Sequence, residues 1–419
     1  MGAGPTGLLT ALGLAKGGAD VTVIDREPDV VDSPRATVYL PSTLKVLDEL
    51  GLLPDVLRQS ETGYWLNVRF ALTGYIGRID HRLIADLTPY AYTLHLGQHE
   101  LARLVMRHLA KLPGTRVQWD TRFENLRQQG DTVAVQVDGA QGPRSLEFDW
   151  VIGADGARST VRRAMGASFD GFTWPETFMA TNVYYDFERH GYAYSNMIAD
   201  GVEWAVVARL DKVPHFWRVS YSESSELSED ERVARIPERY RHWMPEPTWQ
   251  LDRANSYRVH QRSASSYRIG RVLLAGDAAH ATNPIGGMGL TSGIQDVSTL
   301  AQGLGALING QAGDDILDWY DYERRRCFLE VANPSAIEFK RRAQETDPSR
   351  RREDQANFEA MERDREMTRG ALMSIFALCS RPYQSDWRET VLAQDRARSS
   401  ANTLILGTPA AARITREIE

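Results

Sequence analysis

Residues 2–7 read Gly2-Ala3-Gly4-Pro5-Thr6-Gly7, and 18 residues after Gly7 a short apolar run, Val21-Thr22-Val23-Ile24, ends on Asp25. The first stretch matches G-x-G-x-x-G. Its glycines let the backbone turn tightly and approach a pyrophosphate, and the N-terminus of the following helix offers N–H groups and a positive dipole end. Leu8, Leu9, Ala11, Leu12 and Ala15 give that helix an apolar stripe, and Gly17-Gly18 ends it. An acid at the end of the next strand can accept a hydrogen bond from a ribose hydroxyl, which is the role Asp25 fits. A glycine turn alone is weak evidence. Turn, helix, strand and acid in this order predict a dinucleotide-binding α/β unit.

Two later segments have the same strand-to-turn character. Val151-Ile152-Gly153-Ala154-Asp155-Gly156-Ala157-Arg158-Ser159 delivers Asp155 and Gly156 to a turn, where Ser159 can cap the next helix. By itself this is an ordinary Asp-Gly turn. Residues 272–275 form a buried strand that runs into Gly276-Asp277-Ala278-Ala279-His280 and then Pro284-Ile285-Gly286-Gly287-Met288-Gly289-Leu290. Asp277 sits at the end of a buried strand, where ligands collect in such folds. Three glycines leave room for a flat ring against the backbone. The helix that follows would aim its N-terminus at that ring, which stabilises negative charge there.

Between the second and third segments the chain changes character. Residues 166–265 are rich in Trp, Tyr and Phe, and alternate along 178–184, 204–210 and 216–221, as in an antiparallel sheet with one buried face. The expected division is a discontinuous nucleotide-binding domain (1–70, 96–165 and 266–335), a sheet domain (71–95 and 166–265) and a C-terminal helical segment (336–419). Arg209 and Arg218, on the sheet, could hold a substrate carboxylate through a bidentate pair. With His280 and Pro284 they are the candidates for direct contact with substrate chemistry, although packed or surface roles are the commoner fate of such residues. Tyr184, Tyr185, Tyr192, Tyr194, Trp204 and Trp217 read first as sheet core.

The 419 residues are 42% hydrophobic and 25% charged, with 49 Lys+Arg against 56 Asp+Glu, a formal charge of −7. That is globular composition without the basic face a nucleic-acid partner requires. The two cysteines, Cys327 and Cys379, have no metal-site spacing and suit a reducing cytoplasm. No metal site and no stable membrane insertion are expected.

The three segments, in this order, resemble the single-component FAD-dependent aromatic hydroxylases of the p-hydroxybenzoate hydroxylase type, over about residues 1–335. The resemblance implies a glutathione reductase-type FAD domain with an inserted antiparallel substrate sheet. It implies that Gly2, Gly4, Pro5, Thr6, Gly7, Asp25 and Arg26 hold the adenosine and pyrophosphate end. Arg35 is similar to the family's arginine near the cofactor, and Gln98 to a glutamine that contacts FAD from a helix start. Asp155 and Gly156 belong to the motif linked to both FAD and NAD(P)H. Asp277 is similar to the ribityl-binding acid, and the backbone of Gly287, Met288, Gly289 and Leu290 to the flavin-ring contact. The chemistry implied is reduction of FAD by NADH or NADPH, addition of O2 as a flavin C4a-hydroperoxide, and oxygen transfer to a small aromatic substrate, by a monomer or homodimer.

Two departures stand out. Thr291 occupies a position where the family often has Asn. Only Met1 precedes Gly2, where the family has a hydrophobic strand, so the natural chain is expected to begin earlier with a short Val- and Ile-rich run, or its start is misassigned. Other members of the flavin superfamily (a quinone-type hydroxylase, an isoprenoid reductase or a halogenase) are the alternative, although the halogenase pattern Trp-x-Trp-x-Ile-Pro is absent. A non-enzymatic FAD-binding protein is the other.

Overall fold

The computed structural model describes residues 1–32 and 35–391. The first helix runs Pro5–Lys16, with proline at its start, where a missing N–H costs nothing, and glycine past its end. It leads into the strand Val21–Ile24, as the sequence predicts. That strand pairs in parallel with Thr115–Gln118. A second parallel pair joins Val151–Gly153 to Val272–Leu274. Met1 and Gly2 lie between the two pairs: Gly2 N donates to Ile24 O (2.8 Å), Met1 N to Ile152 O (2.7 Å), and Ala154 N to Met1 O (2.7 Å). The three glycine turns are therefore gathered at one end of one sheet system.

The long helix Met288–Ile308 packs on the first helix so closely that a Cβ on Gly13 would lie 2.7 Å from Ala301 Cβ. Leu8, Leu9, Leu12, Ile294 and Val297 are buried between these layers.

The aromatic region forms an eight-stranded sheet. Its order is His280–Ala281, Gln250–Ala264, Phe169–Tyr184, Phe216–Glu223, Ala205–Arg209, Ser195–Ala199, Trp65–Phe70, Tyr75–Asp80. All neighbours are antiparallel except Ser195–Ala199 with Trp65–Phe70. Two features tie it to the nucleotide-binding part. Trp65–Phe70 is a strand of this sheet, although it falls inside the 1–70 segment that the sequence assigns to the other domain. At the opposite edge, His280–Ala281 of the third motif is itself the last strand.

Strand alternation sorts the sheet's side chains onto two faces. Met179, Val183, Trp217, Val219 and Tyr221 form the back, against Tyr240 and Trp243. Phe178, Met197, Val259 and Ile285 form part of the front, with Tyr257 packed against them. Phe358 of the C-terminal helix Pro348–Arg363 covers the far end of this layer, its ring 5.5 Å from that of Phe70.

His95 sits at the seam between sheet and nucleotide-binding part. Its Nδ1 lies 3.2 Å from Arg209 O and its Nε2 3.1 Å from Thr93 Oγ1. Burial pushes its pKa down to about 3, from the ordinary 6.5. The unfolded chain therefore binds a proton that the folded chain refuses between those values. Stability is complete above pH 6.5 and falls as pH drops toward 3, by up to about 1.4 kcal/mol per pH unit. In chemical denaturation across this range, His95→Gln is expected to flatten the acid limb by close to one proton. An unchanged slope would contradict the assignment.

Candidate active site

The three motifs touch one another. A Cβ on Gly2 would lie 2.3 Å from Ala154 O, and one on Gly276 2.7 Å from Thr6 Oγ1. Gly293, one turn into the long helix, faces the same Thr6 Oγ1 at 2.9 Å. Arg162, from the helix after the second motif, donates to Ala278 O at 2.8 Å and to Ala157 O at 2.8 Å. First, second and third motifs thus form one packed knot, with glycine wherever a side chain would collide.

Around this knot lie open backbone, at Gly4 and Gly156, and the acids Asp25, Asp155 and Asp277. Among the described residues, and apart from each glycine's own chain neighbours, no heavy atom comes within 4 Å of where a Cβ on Gly4 or on Gly156 would stand. The helices starting at Pro5 and at Met288 have no side-chain cap hydrogen bond among the described residues, and the first N–H groups of a helix have no partner within it. Gly287 precedes the second of these with φ +72°, a left-handed conformation that favours glycine. Pro284 O accepts from Gly287 N (3.2 Å) and shapes the turn, with Met288 buried and Gly289 and Leu290 half-buried beyond it.

Asp155 accepts from Thr160 N (2.7 Å) and Val161 N (3.2 Å) through Oδ2, while its Oδ1 is buried with no partner among the described residues. Asp277 is exposed at the end of its strand, yet desolvation by the surrounding protein raises its carboxyl; the charges of His280, Arg35 and His260 oppose this and that of Asp296 adds to it. Asp25 holds the glycine turn itself, accepting from Ala3 N (2.6 Å) and Glu27 N (3.0 Å). Arg26 is exposed beside Glu27, and Arg35 is exposed on the segment facing the sheet. Gln98 begins the helix Gln98–Leu109, whose capping residue Gly97 donates its N–H to Asp211 Oδ1 at 2.6 Å. Bare backbone, helix N-termini that donate, and the acceptor oxygens of Asp155 (Oδ1) and Asp277 are the groups that a dinucleotide with a flat ring requires.

The candidates for substrate contact separate. Arg209 pairs across the sheet with Trp217, and Arg218 with Asn182. Arg209 therefore shares the back face, stacked near Tyr194 and Trp217 and facing Glu188 and Glu61. Arg218 shares the front face with Tyr257 and the groove. The two cannot act as a pair.

His280 is fully buried, its Nε2 2.7 Å from Asp296 Oδ2 and its ring stacked 4.7 Å from Phe328. Asp296, which sequence patterning missed, also accepts from Gly276 N (2.8 Å) and from Arg324 Nε (2.8 Å). Burial alone would raise its carboxyl; His280 and Arg324 outweigh this and hold it below the carboxylate range. This buried triad fixes the turn that carries Asp277. Thr291 donates to Gly287 O (2.8 Å), inside the helix start rather than into the groove. Among the described residues, no cluster could hold a metal, and no helix is long and apolar enough to cross a membrane.

An α/β dinucleotide-binding unit, its open acid-and-glycine groove faced by a broad antiparallel sheet, defines the class of flavin-dependent oxidoreductases with an inserted substrate domain. The FAD binding domain family matches residues 1–334, and the chain belongs to that family as an FAD-dependent aromatic monooxygenase. It is 42% identical over 385 residues to para-nitrophenol 4-monooxygenase of Pseudomonas sp. (strain WBC-3), covering 91% of this chain and 95% of that protein. It is 36% identical to 6-hydroxy-3-succinoylpyridine 3-monooxygenase HspB of Pseudomonas putida (strain DSM 28022 / S16), covering 85% and 91%. The solved structure of p-nitrophenol 4-monooxygenase PnpA from Pseudomonas putida DLL-E4 superposes with a TM-score of 0.88 at 42% identity, covering 91% of this chain and 98% of that one.

Proposed function

We propose that this protein is an NAD(P)H-consuming hydroxylase of a phenol, with 4-nitrophenol the first compound to try. Support for the substrate comes from the name of the relative that is 42% identical over nearly its whole length. The observation that carries the reading is Asp277: an acid at the exposed end of a buried strand, with no hydrogen bond among the described residues, close in sequence to a glycine-rich backbone that could lie along a flat ring.

In this reading the turn from Gly2 to Gly7, with Pro5 and Thr6, holds the pyrophosphate, and Asp25 and Arg26 the adenosine end. Arg35, Gln98, Asp155 and Gly156 contact the middle of the cofactor. Asp277 accepts from ribityl hydroxyls, and the backbone of Gly287, Met288, Gly289 and Leu290 lies along the ring. FAD bound there supplies hydride acceptance from NADH or NADPH and the activation of O2. The protein's own part is to orient the phenol between the sheet's front face and the 284–288 turn, and to exclude water. Ile285 and Phe178 already give that layer a dry floor.

Asp277→Ala should weaken FAD binding by about 1.5–3 kcal/mol, the worth of hydrogen bonds to a charged acceptor. Fluorescence titration of the apoprotein measures this; affinity within twofold of wild type would remove Asp277 from the site. NAD(P)H has no second dinucleotide-binding unit among the described residues, so it should dock transiently beside the same FAD. Stopped-flow reduction of the flavin should accelerate with 4-nitrophenol present. Equal rates with and without a phenol that the enzyme hydroxylates would contradict substrate-gated reduction.

A further inference from the structure

Five arginines are buried in the described residues: Arg162, Arg209, Arg218, Arg239 and Arg324. Arg209, Arg239 and Arg324 have carboxylates within ion-pair distance. Arg162 gives both terminal nitrogens to carbonyl oxygens and lies over the Phe169 ring. Arg218 is different. It is 7% exposed, and its Nε donates to Asn182 Oδ1 (2.7 Å) and its Nη1 to Arg35 O, both neutral acceptors. Among the described residues no carboxylate stands within ion-pair distance of it, and its Nη2 has no hydrogen-bond partner.

A buried cation without a counter-charge is costly, and such groups are normally paired. The charged and titratable groups around Arg218 are Asp211 from the hairpin beside it, Asp252 and Tyr257 from the strand Gln250–Ala264 on the far side of Phe169–Tyr184, and Arg35, whose carbonyl accepts from Arg218. Asp211 already accepts from Gly97 N, and Asp252 is at the surface, linked to Arg218 only through Asn182. Burial draws the guanidinium down to about 10, which leaves it charged at neutral pH. Burial pushes Tyr257 up to about 12, so its hydroxyl remains a donor. Tyr257 is in electrostatic reach of both Arg218 and Asp277, which places this pair at the junction of substrate sheet and cofactor groove.

Resting on the proposed function, we infer that the aromatic substrate binds as its phenolate, and that Arg218 is its counter-charge and determines that specificity. Nε has given its one N–H to Asn182 and Nη1 one of its two to Arg35 O, so Nη2 is the amino group with both N–H groups uncommitted. A single phenolate oxygen needs no more than that group, whereas side-on bidentate capture of a carboxylate would need Nε as well.

The test measures binding of a set of phenols of differing acidity, and of their methyl ethers, to the FAD-loaded enzyme across the ionisation of each phenol. For wild type, Kd should fall about tenfold per pH unit below each phenol's own pKa and level off above it, with the break moving from phenol to phenol. The ethers should bind roughly ten- to a hundredfold more weakly than the phenolates. Arg218→Met should erase both the slope and the preference, while melting no lower than wild type without substrate, since it removes an unpaired buried charge. Arg218→Lys should keep the slope at weaker affinity. A wild-type Kd that is flat across phenol ionisation overturns the inference. So does an Arg218→Met enzyme that shifts the flavin potential yet leaves phenolate affinity unchanged, because the charge then serves the cofactor. An enzyme that binds FAD but neither binds nor hydroxylates any phenol contradicts the proposed function instead. Turnover that continues with ether and phenol bound alike contradicts only this inference.

Discussion

Asp296→Ala should cost about 3–5 kcal/mol of folding stability, because it leaves the fully buried Arg324 and His280 without their shared acceptor. That is a large share of the roughly 5–15 kcal/mol that holds a typical domain together. The loss has a functional component. Asp296 Oδ2 also anchors Gly276 N, and Arg324 carries the link onward to Leu378 O (2.7 Å) in the C-terminal segment. FAD affinity should therefore fall even in variant molecules that remain folded at low temperature. Urea denaturation with and without FAD separates the two effects. A midpoint unchanged from wild type would mean that the triad does not bear the load its geometry implies.

Gly7→Ala should abolish FAD retention. A Cβ there would lie 2.0 Å from Gly2 O, so the turn must open, and forced displacements in packed cores cost roughly 1–3 kcal/mol or more. Gly4→Ala is the informative contrast. Its position has open space around the missing Cβ, so the apoprotein should melt as wild type does. The added methyl instead projects where a pyrophosphate would approach, and FAD content should drop. Purified flavin-to-protein ratio and apoprotein melting temperature read both variants. A fully yellow Gly4→Ala protein would show that the cofactor does not approach this face.

The turn chemistry and strand order were readable from sequence because they are local. Gly2-x-Gly4-x-x-Gly7, the strand to Asp25 and the Gly276-Asp277 turn each announce themselves within a few residues, and the strand Val21–Ile24 falls where the apolar run places it. What was not readable depends on pairing between distant segments. Arg209 and Arg218 look alike as sequence, but strand register turns one to the back face beside Trp217 and the other to the groove. A shift of one residue would exchange them. Asp296 could have been flagged as an acid between the apolar positions Ile294 and Val297 of a buried helix. Its partner Arg324 comes from a separate helix, Asp315–Cys327, so their contact has no local signal. Trp65–Phe70 alternates only weakly, and its place in the large sheet follows from pairing with Ser195–Ala199, far along the chain.

The most direct test of the central claim is turnover with NAD(P)H and isotopically labelled O2 in the presence of 4-nitrophenol or another accepted phenol, followed by mass spectrometry of the product. The account predicts phenol-stimulated NAD(P)H oxidation, and one labelled oxygen atom in each molecule of hydroxylated aromatic. NAD(P)H oxidation that no phenol stimulates, or a product whose new oxygen comes from water, would contradict it.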